Sequence, residues 1–303
     1  MKAIVTGGAG FIGSHLVHAL VSKGLEVHVI DNLSTGHADR LPHQSELYQL
    51  DINDPETKNL VLHIKPHVVF HLAAQADVST SIQLPAMDAE VNINGTIQLL
   101  EACYESGVQK FIFASTSAVY GDLQRELLSE SDPTNPISFY GLSKWAAECY
   151  IRMFHHFYKL PYTILRFANV FGPGQTPKGE GGVVAIFLEK IKEELPLIIH
   201  GDGEQTRDFI YVKDVVEANI AAMSHASCRT LHVSTGTQTT INELAEKLQS
   251  IHDSRVAIVR TTHRHGDIRH SCLDPRLAKQ HLNWSPQYDV LTGLTQTYRH
   301  HIK

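Results

Sequence analysis

Apolar residues follow two rhythms along the first 170 positions. Short runs have the length of buried strands: Ala3-Ile4-Val5, Val27-His28-Val29-Ile30, Leu47-Tyr48-Gln49-Leu50, Val68-Val69-Phe70-His71-Leu72, Phe111-Ile112-Phe113-Ala114 and Tyr162-Thr163-Ile164-Leu165-Arg166-Phe167. Between them lie stretches with helical spacing. Phe11 to Ser22 puts Phe11, Ile12, His15, Leu16, Ala19 and Leu20 on one face, and 55–64, 85–106 and 138–158 read likewise. Pro85 suits a first helical turn and Gly107 a stop. Strands and helices alternating this regularly predict an α/β fold, a Rossmann-type doubly wound parallel sheet with helices on both faces.

The rhythm changes after Phe167. Gly172, Pro173, Gly174, Pro177, Gly179, Gly181 and Gly182 crowd one loop, a density that marks a boundary or a binding loop. Shorter elements follow: helices near 183–194, 214–224, 242–251 and 291–301, and strands near 197–200 and 209–212. The chain therefore divides into a sheet domain, residues 1–168, and a smaller C-terminal α/β substrate domain, residues 169–303. A segment near 206–226 is expected to return to the first domain.

The first strand runs into a glycine turn, Thr6 to Gly10. Two spacings coexist there, Gly8-x-Gly10-x-x-Gly13 and Gly7-x-x-Gly10-x-x-Gly13. Such glycines allow a tight turn, let backbone approach a pyrophosphate, and let helix pack on strand. The helix behind them starts with free N–H groups aimed at the phosphates. Asp31 ends the second strand 18 residues after Gly13, near the offset of about 20 for a ribose-binding acid. Its charge accepts from a 2′-hydroxyl and repels a 2′-phosphate, so NAD is expected rather than NADP. Asp51, at the end of the third strand, can reach the adenine amino group, and Ala73-Ala74 leave room for the cofactor beside backbone.

Composition narrows the partners. Of the 303 residues 43% are hydrophobic and 19% charged, which suits a globular protein with a large core. The net charge of −6 is spread with mixed signs, so no nucleic-acid partner is expected. No apolar run approaches the roughly 18 residues of a membrane span. The four cysteines are scattered without a C-x-x-C pair, and the chain opens directly in a core strand. Both point to reduced thiols and a cytoplasmic protein without a secretory leader. The 20 histidines form no metal-ligand pattern, so no metal is expected.

Candidate chemistry lies at Tyr140 and Lys144, four apart on a predicted helix and so on one face. A free tyrosine is a poor base, but a cation about 5 Å away favours the phenolate by roughly 3 kcal/mol at an effective dielectric near 20. Such a pair can act as a general base near neutrality. The fifth strand ends in Ser115-Thr116-Ser117, whose tip hydroxyl can bond the same substrate oxygen.

These motifs, with DNLSTG, HLAAQADV, NINGT, FASTSAVYGD, YGLSK, LRFANVFGP, QTRDFIYVKD and HGDIRHSCLD, run essentially end to end. Together they resemble the extended short-chain dehydrogenase/reductase family, and within it the UDP-glucose 4-epimerases. The resemblance implies Thr116, Tyr140 and Lys144 as catalytic residues, with Lys144 also a cofactor-ribose ligand. It implies Gly7, Gly10, Phe11, Ile12, Gly13, Asp31, Asn32, Asp51, Ile52, Ala73, Asn92, Tyr140 and Lys144 around NAD. Around a UDP-sugar it implies Thr116, Asn169, Val183, His200, Arg207, Arg264, Asp267 and Ser271. Arginine suits a diphosphate because its fork makes paired charge-assisted bonds. Ser117-Ala118 stand where the family's dehydratases carry Asp-Glu, which argues against dehydration. Ser271 stands where some epimerases carry a bulky tyrosine, which leaves room for N-acetyl sugars. The expected reaction is C4 epimerisation of a UDP-hexose. Another nucleotide sugar, UDP-glucuronate or a dTDP-hexose, stays open, as does a non-catalytic NAD sensor on the same fold. The family also implies a homodimer through the helices 85–106 and 138–158.

Overall fold

The computed structural model describes residues 1–123, 125–177, 182–262 and 268–302. Strands β1 (Lys2–Thr6), β2 (Glu26–Ile30), β3 (Glu46–Tyr48), β4 (Val68–His71), β5 (Lys110–Thr116) and β6 (Tyr162–Phe167) lie parallel in one sheet, in the order β6-β5-β4-β1-β2-β3. The order reverses between β1 and β4. In an open α/β sheet this opens a crevice at the carboxyl ends of those two strands.

Both faces of the sheet are buried, as an all-parallel sheet requires. Alternation along β1 shows how. Ala3 and Val5 pack with Leu16 and Leu20 of α1 (Phe11–Ser22), while Ile4 turns to the other face among Val61, Leu99 and Phe113. All are 0–1% exposed, and burying one such aliphatic side chain is worth about 1.5–3 kcal/mol.

A seventh strand, Arg229–Val233, joins the sheet beyond β6, with Leu231 paired to Leu165. Sequence periodicity does not announce it, because Arg-Thr-Leu-His-Val is mostly polar. The helix Val212–Ala222 before it buries Val215, Ala218 and Ala222 in the cluster that holds Leu16 and Leu20. Residues from Val212 to Val233 thus stand on the main sheet although they follow the Gly/Pro loop.

The stretch 85–106 is not one α-helix. An α-turn, Pro85–Ala89, passes into a π-helical turn, Glu90–Asn94, before Gly95–Ser106 resumes the α-helix. A π turn of this kind often marks a functional site. Here Asn92 is buried in it, 2% exposed, and bonded to Gln75, Asp88 and Ser143. The next long helix, Phe139–Tyr158, is capped by Ser138, whose Oγ accepts from Gly141 N at 3.1 Å.

The smaller lobe pairs Asn169–Phe171 with Phe209–Tyr211, Leu197–His200 with Ile258–Thr261, and Thr206–Arg207 with both Thr239–Thr240 and His270–Ser271. Its core holds Phe171, Phe187, Leu188, Tyr211, Leu244 and Leu248, and Phe11 of α1 is buried among them. The residue that follows the glycine turn therefore ties the lobe to the sheet.

Candidate active site

At Gly7 the chain takes φ +67°, and its N–H donates to Ile30 O at 2.8 Å. A Cβ there would lie 2.6 Å from Ala73 N, so only glycine lets the turn pass the end of β4 so closely. The N-cap of α1 is Gly10, which offers no side-chain cap, and the first turn carries no acidic residue. Its N–H groups and the positive end of its dipole face the crevice. Asp31, 8% exposed, steadies the turn: Oδ2 accepts from Ala9 N at 2.9 Å and Oδ1 from Leu33 N at 2.8 Å. Asn32 Nδ2 donates to Asp51 Oδ2 at 2.7 Å, linking the ends of β2 and β3.

Two cavities open here and share Gly7, Gly10, Leu72, Ala74 and Ala76, so they form one trough. The part of about 480 Å³ is lined by Asp31, Asn32, Asp51, Ile52 and Ala73, with Gln75 and Thr80. The part of about 210 Å³ brings together Phe11, Ile12, Gly13, Thr116, Tyr140, Lys144, Asn169 and Val183. The spacing of the uncapped N–H groups, the backbone cradle and the acid at the end of β2 fit a dinucleotide with an unphosphorylated ribose.

The polar end of the trough is built from three elements. Thr116 is the last residue of β5 and caps the short turn Ser117–Tyr120, with Oγ1 accepting from Ala118 N at 3.1 Å. The long helix Phe139–Tyr158 lies against that turn. A Cβ on Gly141 would stand 2.5 Å from Ala118 O, so glycine brings Tyr140 close to Thr116. One turn on, Lys144 is 3% exposed, and its ammonium sits 4.2 Å from the Phe113 ring centre, a cation–π contact. Ser143 Oγ donates to Tyr140 O at 3.1 Å and accepts from Asn92 Nδ2 at 3.0 Å.

Under the floor, His71 is buried between Thr6 and Thr96. Thr96 Oγ1 donates to Asn92 O (2.7 Å), so it accepts from His71 Nε2 (3.0 Å), which leaves Nδ1 to accept from Thr6 Oγ1 (2.7 Å). Burial, and then the Lys144 charge, push this imidazole down to about 3, so it is neutral.

Other expected residues stand elsewhere. Asn92 is behind the wall and lines neither cavity. His200, Arg207 and Ser271 line neither as well. His200 Nδ1 lies 2.7 Å from Thr261 Oγ1, and Arg207 pairs in register with Ser271 while its Nη1 donates to Ile268 O at 2.7 Å. Arg264 and Asp267 fall outside the described residues. Sequence reading passed over Gln75, Ala76, Gln175, Val184 and Phe209, which line the trough. Gln175 carried a signal, since it sits in the Gly/Pro loop. Among the described residues no group of three or more His, Cys, Asp or Glu is placed to hold a metal ion.

The fold and this crevice are those of a dinucleotide-binding α/β protein of the short-chain dehydrogenase/reductase type. More narrowly, residues 3–233 match the NAD dependent epimerase/dehydratase family, and the chain belongs to it. The chain is 39% identical over 304 residues to a UDP-glucose 4-epimerase of Mycolicibacterium smegmatis, covering 98% of this chain and 97% of that one. Its fold is similar to that of a UDP-glucose 4-epimerase of Thermotoga maritima solved with UDP-glucose, with a TM-score of 0.97 and 43% identity, covering 99% and 98% of the two chains. It is also similar to a UDP-N-acetylglucosamine 4-epimerase of Methanobrevibacter ruminantium solved with UDP-N-acetylmuramic acid, with a TM-score of 0.94 and 35% identity, covering 99% and 97%.

Proposed function

We propose that this chain interconverts UDP-glucose and UDP-galactose by inverting C4, and that it accepts their N-acetyl forms. The carrying observation is that Thr116, Tyr140 and Lys144 share a cavity wall with the glycine turn. Glycine backbone at Gly7, Gly10 and Gly13 holds the pyrophosphate, Asp31 the adenosine ribose, and Asn32, Asp51, Ile52 and Ala73 the adenine end. Bound NAD supplies a reversible hydride acceptor at the sugar C4. Tyr140, with Lys144 favouring its phenolate, takes the proton of the 4-hydroxyl and later returns it, while Thr116 orients that oxygen. Asn92 positions Tyr140 through Ser143. Asn169 and Val183 on the cavity wall, His200 and Arg207 beyond it, and Arg264 and Asp267, assigned by the resemblance, anchor the UDP end, while Ser271 leaves room for an N-acetyl group. The sugar is then held loosely enough to turn over. A segment of residues 169–303, excluding the stretch that returns to the sheet, serves as the nucleotide-sugar lobe.

The test is a panel of nucleotide sugars followed by NMR, with and without added NAD. The expected result is conversion of UDP-galactose to UDP-glucose without net NADH. If no C4-inverted sugar forms from any member, the reading fails.

We also infer a homodimer. Tyr104, Tyr150, Met153 and Phe157 are 43–64% exposed on the helices Gly95–Ser106 and Phe139–Tyr158, an apolar face that a second copy of the two helices would cover. A cytoplasmic location fits the four free thiols, of which Cys103 and Cys272 are buried. Among the described residues no helix is long and apolar enough to cross a membrane.

A further inference from the structure

Directly behind Thr116 the protein buries a charge that the reaction does not use. Glu148 lies one helical turn beyond Lys144 and two beyond Tyr140, and is 0% exposed. Its Oε1 accepts from Ser115 Oγ (2.6 Å) and Arg166 Nε (2.9 Å), and its Oε2 from Arg166 Nη2 (2.6 Å) and Arg152 Nη2 (2.6 Å). Ser115 immediately precedes Thr116 on β5 and pairs in register with Arg166 on β6. One carboxylate therefore bonds the strand that carries Thr116 to the helix that carries Tyr140 and Lys144.

The network continues around the turn after Thr116. Arg166 Nη1 donates to Tyr120 OH at 2.6 Å, and Tyr120 ends that turn. His232 of the seventh strand faces Asp274 O through Nδ1 (3.2 Å), so that nitrogen carries the proton and Nε2 accepts from Tyr120 OH at 2.5 Å. Burial, and then the Arg166 charge, push His232 down to about 3. Burial opposes ionisation of Glu148, but the bonds and charge of Arg166 outweigh it and hold the carboxyl below the usual range. Each member is thus in the one charge state its bonds require.

A buried ion pair seldom adds net stability over well-packed apolar residues, and its best-attested use is to fix register. We propose that Glu148 is a positioning residue for the reaction: through Ser115 and Arg166 it sets the offset of Tyr140 and Lys144 from Thr116. The proposal rests on the assignment of Thr116 and Tyr140 to catalysis. It differs from a purely structural role, in which the pair would hold the fold together with no particular effect on turnover.

Steady-state kinetics on UDP-galactose separates the two, using Ser115→Ala, Glu148→Gln, their double variant and Tyr140→Phe. Ser115→Ala leaves the Glu148–Arg166 pair in place. We expect its kcat to fall about tenfold, with KM, bound NAD and melting temperature little changed. Glu148→Gln is expected to lose about a hundredfold in kcat, the scale of a roughly 1 Å misplacement, and to melt lower. Because the two residues act through one bond, the double variant should be no slower than Glu148→Gln alone. Losses that multiply overturn the proposal, because Ser115 then acts independently of Glu148. Wild-type kcat in Ser115→Ala overturns it too, even if Glu148→Gln fails to fold. An active Tyr140→Phe would instead remove the catalytic assignment, and the proposal with it. An inactive Tyr140→Phe beside an unaffected Ser115→Ala would spare that assignment and remove only the positioning role.

Discussion

Gly13→Ala sets two effects of opposite sign against each other. Gly13 is the third residue of α1, and alanine in a helix ordinarily gains about 0.4–1 kcal/mol over glycine by restricting the unfolded chain. Yet a Cβ at Gly13 would stand 2.0 Å from Gly7 O and 2.7 Å from Gly8 Cα. Ordinary contact begins near 3.4 Å, so helix and turn must part by more than 1 Å, and both obstacles are backbone. Overpacking of this kind costs about 1–3 kcal/mol. The bond from Gly10 N to Gly7 O, already 3.2 Å long, is lost as well, at about 1 kcal/mol. Strain wins, with a net loss of about 1–3 kcal/mol, or roughly 2–5 °C in melting temperature for a chain of this length. The same displacement opens the cradle, so NAD recovered from the purified protein should fall sharply. Gly24→Ala is the control. Its φ is +79°, but nothing lies within 4 Å of the new Cβ. It should lose about 1 kcal/mol of stability to backbone strain and keep its NAD. Melting curves with and without excess NAD, and chromatography of cofactor released on denaturation, read both outcomes. A Gly13→Ala protein that melts at or above wild type with a full load of NAD would refute the reasoning.

Three further outcomes follow from the geometry. His71 and His232 are both pushed by burial down to about 3, whereas an unfolded histidine titrates near 6.5. Their stabilisation is complete above pH 6.5 and is lost as pH falls, because the unfolded chain then binds two more protons. Together they should contribute up to about 2.7 kcal/mol per pH unit to the slope of stability between pH 6 and 4 in urea titrations, and a wild-type slope in a His71→Gln, His232→Gln variant would count against the buried neutral pair. Phe157→Glu with Tyr150→Glu places charge on the exposed helix face. It should shift the species seen by size-exclusion chromatography with light scattering from dimer to monomer, and a wild-type protein that is itself monomeric would remove the inferred interface. Ser271→Tyr should suppress turnover of UDP-N-acetylglucosamine while sparing UDP-galactose, and an equal effect on both would remove Ser271 from sugar selection.

The cofactor half of the site was legible because its grammar is local. Gly7, Gly10, Gly13 and Asp31 lie within one strand–turn–helix–strand unit, and each answers a backbone requirement that spacing alone reveals. Tyr140 and Lys144 were legible for the same reason, being one helical turn apart. What lay hidden was the reason polar residues occur inside apolar strands. Arg166 is the fifth of six residues in Tyr162–Phe167, a strand its apolar run does predict, and His232 lies inside Arg229–Val233, which no apolar run predicts; the burial of neither side chain follows from the pattern until the partners are known. Those partners are far off in sequence: Ser115 meets Glu148 across 33 residues and Tyr120 meets His232 across 112. The seventh strand was missed because its burial depends on such a partner.

The same contrast separates the two ends of the trough. A dinucleotide is gripped largely by backbone, which short motifs specify. The face beside Arg207 is assembled from three short strands, Thr206–Arg207, Thr239–Thr240 and His270–Ser271, that meet only in the folded lobe. Side chains on such a face gain their chemistry from neighbours rather than from spacing, so two chains with the same glycine turn can differ in sugar. Selectivity should therefore respond to Ser271 and its neighbours, while cofactor retention responds to the turn. The two sets of variants above are expected to act independently, with Gly13→Ala emptying the cradle without changing which sugar added NAD allows the enzyme to turn over.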